Sequence, residues 1–202
     1  MFHFVQCLLA LPVRLSYPTK FIGKENIPKG ACIIASNHTS NLDAVILAVN
    51  TWEKKYYVAK KELFKNKLVG SFLKSMGAIK IDRQATDITA IKNCMKVLKE
   101  NKKLVIFPEG TRTNNQDMQL GEVKHGVAMF AIKAKVPIVP MFIAKKPKFW
   151  RRNRVMIGKP FTLEEFYGKK LDNDVLQQAS EVVATKMNEI REITLNSLTK
   201  KK

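Results

Sequence analysis

The sequence predicts an α/β fold: a single domain with a central, largely parallel sheet covered by helices, preceded by an N-terminal amphipathic or membrane-interface helix. Three observations carry this reading. Short apolar runs recur along the chain, at Cys32–Ala35, Tyr56–Ala59, Ala78–Ile81, Leu104–Phe107, Ile138–Ile143 and Val155–Ile157. Helical periodicity falls between several of them, the alternation that builds parallel sheets. Lys80 apart, the runs are apolar throughout, as in strands buried on both faces. At 202 residues the chain fits one domain with a sizeable core. It divides into an N-terminal helical segment, 1–19, and a main domain, 20–202.

Taken in order, the first fifteen residues are apolar apart from His3, Gln6 and Arg14. The stretch is too short to span a bilayer, which needs roughly 20 apolar residues, and it lacks the basic start and cleavage site of a signal peptide. Phe4, Val5, Leu8 and Leu9 share one helical face, and Leu11 extends it before Pro12 ends or kinks the helix. Two readings stand side by side: an interfacial or re-entrant membrane helix with Phe2, Phe4 and Leu8 as contacts, or a first helix packed on the core. After the run Cys32–Ala35, Leu42 to Val49 is the apolar start of a helix. Asp87 is placed to cap a helix whose stripe is Ile88, Ile91, Met95 and Leu98. Gly126 to Ala134 is a further helix, closed by Val136-Pro137. From about Leu171 a long helix turns Val175, Ala179, Val182, Val183, Met187, Ile190 and Ile193 inward, with Lys186 toward its polar side.

The first candidate for chemistry is Asn37-His38-Thr39-Ser40-Asn41-Leu42-Asp43. It lies on a strand-to-helix turn, where open α/β sheets place ligands. Five residues is the wrong spacing for one helix face, since each residue turns about 100°. With His38 before the helix and Asp43 in its first turn, the side chains can meet. A carboxylate on one imidazole nitrogen fixes the tautomer and leaves the other nitrogen as a base. Ser40-x-x-Asp43 equally matches a capping box, which would give Asp43 a structural task. Two further motifs end strands: Gly77 to Arg83, and Pro108-Glu109-Gly110-Thr111-Arg112. Each sets an arginine just past a strand, on the edge that carries His38. The planar guanidinium suits phosphate, while a solvated charge and a tight turn are the plainer explanations.

Together these motifs resemble the glycerolipid acyltransferases, most closely the 1-acyl-glycerol-3-phosphate (lysophosphatidic acid) acyltransferases. Asn37-His38-x4-Asp43, Gly77 to Arg83, Phe107 to Arg112 and Val136-Pro137-Ile138-Val139-Pro140 stand in the family's order. Val58-Ala59-Lys60-x-Glu62-Leu63 is similar to a segment often found between the first two. The resemblance runs from about Phe21 to Phe142. Lys80 departs from it, standing where the second motif often has an aromatic residue. The resemblance implies that His38 deprotonates a glycerol hydroxyl for attack on an acyl thioester while Asp43 orients His38. It implies that Arg83, Arg112 and Lys60 hold the acceptor's phosphate and that Glu109, Gly110 and Thr111 shape its pocket. Acyl-CoA or acyl carrier protein enters as co-substrate, lysophosphatidic acid as acceptor, and no cofactor or metal is implied.

Net charge is +19 and the pI about 9.9, a balance that implies anionic partners. Lys145 to Arg154 holds six basic residues with Phe149-Trp150 and no acid. Lys148, Trp150 and Arg151 are the candidates for contact with an anionic phospholipid membrane; a solvated basic loop is the alternative. A nucleic-acid-binding module is the rival from a different class, supported by charge alone, without zinc spacing, RNA-binding aromatics or a helix-turn-helix. It leaves the order of the motifs unexplained, so no nucleic-acid partner is expected. The three cysteines show no metal-ligand or disulfide spacing and fit the core of a protein in a reducing compartment. The expectation is a membrane-associated enzyme on the cytoplasmic face of a bacterial cell membrane.

Overall fold

Seven strands form one sheet in the order β1-β7-β6-β2-β5-β3-β4 in the computed structural model, which describes residues 2–50, 53–82, 84, 87–110 and 120–199. The strands are β1 (Thr19–Ile22), β2 (Cys32–Ser36), β3 (Lys55–Lys60), β4 (Ala78–Ile81), β5 (Lys103–Ile106), β6 (Ile138–Ile143) and β7 (Asn153–Ile157). Every pair is parallel except β6 with β7. Strands β2 to β6 therefore run the same way, and their carboxyl ends share one edge. The six helices are α1 (Phe2–Ser16), α2 (Leu42–Val49), α3 (Lys67–Ser75), α4 (Ile88–Lys99), α5 (Gly126–Ala134) and α6 (Asn173–Thr199).

Strand β2 lies at the centre, all five residues buried, and its side chains alternate between two cores. Ile33 and Ala35 join Leu104, Ile106 and Ile138 beneath α4, α5 and α6. Cys32 and Ile34 join Val105, Val139 and Met141 beneath α2 and the end of α3. Two covered faces explain why these strands are apolar without alternation.

The elements depart from the sequence reading in particular places. Strand β1 and helix α3 carry too little local signal: β1 is four residues on the sheet edge, and α3 has Gly70 at its centre, a poor helix former. Asn66 starts α3 by accepting from the amides of Leu68 and Val69. Thr19 belongs to the sheet rather than to the N-terminal segment. Pro12 neither ends α1 nor stops it short of Ser16; it lies on the exposed side, so the turn it interrupts faces outward. Two residues of the expected stripes turn outward: Ile88, in the first turn of α4, and Ile193, near the end of α6. Asp87 does cap α4, accepting from the amide of Ala90 at 2.9 Å.

Helix α1 packs on α2 through its polar residues. The Gln6 amide donates to the Ala48 carbonyl at 2.8 Å and the Arg14 guanidinium to that of Val49 at 2.5 Å, so Arg14 serves the open C-terminus of α2. Phe4, Leu8, Leu11 and Leu15 point away from the protein, each about two-thirds exposed or more. The side chain of Phe2 lies outside the described residues.

Candidate active site

The turn after β2 is built around one buried carboxylate. Asp43 Oδ2 accepts from the amides of Thr39 (2.6 Å) and Ser40 (2.7 Å) and from His38 Nδ1 (3.0 Å), while Oδ1 accepts from Thr39 Oγ1 (3.1 Å). The Asp43 side chain is fully buried and that of His38 is 18% exposed. One carboxylate therefore both closes the turn and contacts the imidazole. A carboxylate oxygen only accepts, so Nδ1 carries the proton and Nε2 keeps a lone pair. Ser40 contributes a weaker cap, its Oγ accepting from Leu42 N at 3.3 Å.

Two neighbours fix this turn. The buried side chain of Asn37 accepts from Ile143 N (2.7 Å) and donates to Ile143 O (3.1 Å). It thus continues the β2–β6 ladder by one side chain and ties the residue before His38 to the end of β6. Phe107, the first residue past β5, stacks on the imidazole, with ring centroids 4.2 Å apart and planes at 23°. That contact leaves one face of the imidazole dry and sets its plane.

The site opens where β2 and β5 leave the sheet toward opposite faces, the switch point at which α/β sheets bind ligands. Beside it runs an open groove of about 290 Å³ along the ends of β3, β4 and β5 and under α4 and α5. Its walls are mostly apolar, with Val58, Ile91, Phe107 and Phe130 among them, and its charged lining residues are Asp82, Asp87 and Lys124. Gly110 lines it at φ +66°, a conformation that suits glycine. Glu109 is buried, and its Oε2 accepts from the amide of Gly121 at 3.0 Å, pinning the far end of the segment that follows the glycine.

The remaining candidates that fall among the described residues lie along the same edge. Lys60 ends β3, half exposed, 3.8 Å from Glu62. Its neighbour Lys61 bonds Asp82, which raises the lysine and lowers the carboxyl from their ordinary values. Asp87 is lowered too, by the amides of Ala90 and Asp82. Lys80 is exposed and does not line the groove. Arg83, Thr111 and Arg112 lie outside the described residues, as does the basic end 200–202. Since β6 also ends here, the 145–152 segment projects from the same edge. Phe149 and Trp150 stack on each other and are exposed, Tyr17 meets Phe149 edge-on, and Trp150 N donates to Ser16 O at 2.7 Å. Lys148 is exposed, whereas Arg151 turns back and bonds the Lys146 carbonyl, bracing the loop from within.

Lys124 is a groove residue that the sequence reading missed. It sits between a polar stretch and a helix start, where a lysine reads as a solvated charge. The packing role of Phe107 is equally invisible in sequence, because it depends on β5 lying beside β2.

Comparison with known proteins gives four findings. The family model described as Acyltransferase matches residues 18–144. A 1-acyl-sn-glycerol-3-phosphate acyltransferase of Bacillus subtilis is 38% identical over 173 residues, 79% of this chain and 83% of that protein. The enzyme of the same name from Streptococcus pneumoniae is 30% identical over 169 residues, 80% of this chain and 61% of its own length. In fold, the chain is similar to the crystal structure of the 1-acyl-sn-glycerophosphate (LPA) acyltransferase of Thermotoga maritima. The TM-score is 0.67 at 20% identity, covering 95% of this chain and 78% of that one.

Proposed function

The chain belongs to the acyltransferase family, and from that premise we propose that it acylates the free hydroxyl of 1-acyl-glycerol-3-phosphate to give phosphatidate. The observation that carries this reading is the 3.0 Å contact of His38 Nδ1 with the buried Asp43 carboxylate. It leaves Nε2 as a base at the open edge of the sheet. Two of the acceptor's three glycerol oxygens are already esterified, so one hydroxyl remains to react.

The chemistry follows from the geometry. His38 Nε2 takes the hydroxyl proton as the oxygen attacks the thioester carbonyl carbon. Asp43 holds the imidazole in place and stabilises the imidazolium that forms. The tetrahedral intermediate collapses to the ester, the carbon–sulfur bond breaks, and the thiolate leaves with the proton from His38. Substrate oxygen is the nucleophile throughout, so no acyl-enzyme intermediate and no cofactor enters the sequence. Acyl-CoA and acyl carrier protein both present the required thioester, and either serves as donor. Lys60, Arg83 and Arg112 are assigned to the acceptor's phosphate, and Glu109, Gly110 and Thr111 to its pocket.

The same edge supports a membrane reading. No helix among the described residues is long and apolar enough to cross a bilayer. Helix α1 buries Gln6 and uses Arg14 inward while Phe4, Leu8, Leu11 and Leu15 face out, the reverse of a helix that packs on a core. Beside it stand Trp150, Phe149 and the lysines of the 145–152 segment. An apolar anchor joined to a basic one is the pairing that holds a peripheral protein on anionic lipid, here on the cytoplasmic face, where acyl thioesters are made.

The test is acyl transfer by the purified chain, with acyl-CoA and acyl carrier protein as donors and a panel of acceptors on anionic and neutral vesicles. We expect 1-acyl-glycerol-3-phosphate to be preferred and anionic vesicles to sediment the protein. Faster acylation of glycerol-3-phosphate, or none of either, overturns the assignment. Equal sedimentation with both vesicle types removes the electrostatic half of the membrane reading.

A further inference from the structure

We propose that Lys124, which belongs to none of the sequence motifs, is a phosphate-binding residue of this active site and acts on one of its substrates. The inference rests on the acyl-transfer reading above. Three observations on the groove carry it.

The first concerns the charges that line it. Asp82 is engaged by Lys61 and takes the amide of Gln84. Asp87 is engaged by the amides of Ala90 and Asp82. Lys124 pairs with no carboxylate among the described residues. Of the charged lining residues among those described, the two carboxylates are thus consumed in building the walls, and the Lys124 ammonium is left for a ligand.

The second is where that cation is held. Lys124 N donates to Pro108 O at 3.1 Å, which fastens its backbone to the turn after β5. Its side chain then lies across Gly110: a Cβ at that position would stand 3.1 Å from Cε and 3.2 Å from Nζ. A glycine here keeps the approach to the ammonium clear, and any side chain would push the lysine aside. Gly110 N in turn bonds Phe107 O at 3.1 Å, so the lysine, the glycine and the aromatic ring form one tight structure.

The third is the path to the chemistry. Phe107 lines the groove and also stacks on His38. A molecule in this groove therefore meets Lys124 and the ring that borders the catalytic imidazole. An apolar trough with an ammonium at its lip matches an amphiphile with a phosphate: the acceptor's phosphomonoester, or the phosphate of a pantetheine-bearing donor. Lysine suits either as a compact point charge with three rotatable donors.

Steady-state kinetics of wild type, Lys124→Met and Lys124→Arg, each checked for folding by circular dichroism, test the assignment. The substrates are 1-acyl-glycerol-3-phosphate with acyl-CoA, and then the phosphate-free pair, monoacylglycerol with an acyl N-acetylcysteamine thioester. Lys124→Met should raise the KM of one phosphate-bearing substrate by roughly tenfold or more, as expected for loss of a charge-assisted hydrogen bond, with kcat much less affected. A rise for the acceptor alone assigns the lysine to the acceptor's phosphate; a rise for acyl-CoA alone assigns it to the donor's. Lys124→Arg should recover most of the loss, and the phosphate-free pair should be unaffected by either change. Unchanged KM for both substrates, an equal loss on the phosphate-free pair, or a Lys124→Arg variant as impaired as Lys124→Met overturns the inference while wild-type activity leaves the proposed function standing. A wild type that acylates no glycerol phosphate overturns both.

Discussion

The two edges of the sheet both bury charge, and they satisfy it by different means. At the carboxyl edge the buried Asp43 is met by Thr39 N, Ser40 N, Thr39 Oγ1 and His38 Nδ1, all from its own turn. At the amino edge Cys32, Lys103 and Lys55 begin three adjacent strands in register. Lys103 is 1% exposed and depends on Glu53 Oε1 at 2.6 Å and the Lys29 carbonyl at 3.1 Å. Lys55, also buried, reaches only the Glu53 carbonyl, at 3.4 Å, among the contacts described. Burial lowers its ammonium to about 8 and pushes the Cys32 thiol up to about 11. One edge holds its charge with short local bonds beside an opening to solvent. The other stacks two cations against one half-exposed carboxylate from elsewhere in the chain. The proposed chemistry belongs to the first, while the second carries an electrostatic cost that can be engineered away.

The sharpest way to break this contrast is at the catalytic turn. His38→Ala should lower kcat by roughly 10²–10⁴-fold, the range for loss of a general base, with little change in stability, because the imidazole is not needed to close the turn. Asp43→Asn should also lower kcat steeply and, unlike His38→Ala, should destabilise the protein by about 1–3 kcal/mol, the cost of leaving buried amide donors poorly paired. Kinetics and urea melts on the two variants check this. A folded His38→Ala variant with near-normal turnover would exclude His38 as the base.

How much of this was legible in the sequence follows the same division. The carboxyl edge is local: His38, Asp43 and the turn between them span six residues, so their chemistry could be proposed from spacing alone. The long apolar strands and Asp87 as a cap were legible for the same reason. Contacts between distant segments were not. Phe107 stacks on His38 because β5 pairs with β2, Asn37 reaches Ile143 because β6 lies on the other side, and neither pairing is written in local pattern. Lys103 and Lys55 read as surface lysines and are buried because strand register puts them behind Glu53. Helix α1 shows the converse: its apolar residues suggested burial as readily as lipid, and only Gln6 and Arg14 facing α2 decides which side is inward.

At the amino edge the effects should fall on stability alone and be asymmetric. Glu53→Gln leaves the Lys103 ammonium buried without its counter-ion, a loss of roughly 3–5 kcal/mol for a buried pair broken from one side, here toward the lower end because Glu53 is itself 53% exposed. Lys103→Met instead leaves Glu53 free to hydrate and fills the space with an apolar chain of similar length, so it should be close to neutral. Neither change should alter kcat. Equal destabilisation by both variants in urea melts would mean that the pair is a solvated surface bridge and that the two edges do not differ as described.

The most specific effect appears only as a function of pH. Lys55 titrates at about 8 in the folded protein against 10.5 in the open chain, chiefly because burial disfavours its charged form. Below pH 8 the folded and unfolded chains both carry the proton, and folding bears the full cost of burying it. Between about 8 and 10.5 the folded chain has released the proton and the unfolded chain has not. Unfolding then takes up a proton, so the Lys55 contribution makes stability rise with pH across that window. Above 10.5 neither state is protonated and the contribution levels off. The full span is about 3 kcal/mol at roughly 1.4 kcal/mol per pH unit. Other groups titrate over the same range, so the informative quantity is the difference between Lys55→Met and wild type. Methionine keeps the packing and removes the charge from beside Lys103, Glu53 and Cys32. The variant should be more stable by up to about 3 kcal/mol at pH 7, and its advantage should shrink through pH 9 and vanish near pH 10.5 in urea melts. A difference that stays constant from pH 7 to 10.5 would show that Lys55 is hydrated in the folded state and that the amino edge bears no such cost.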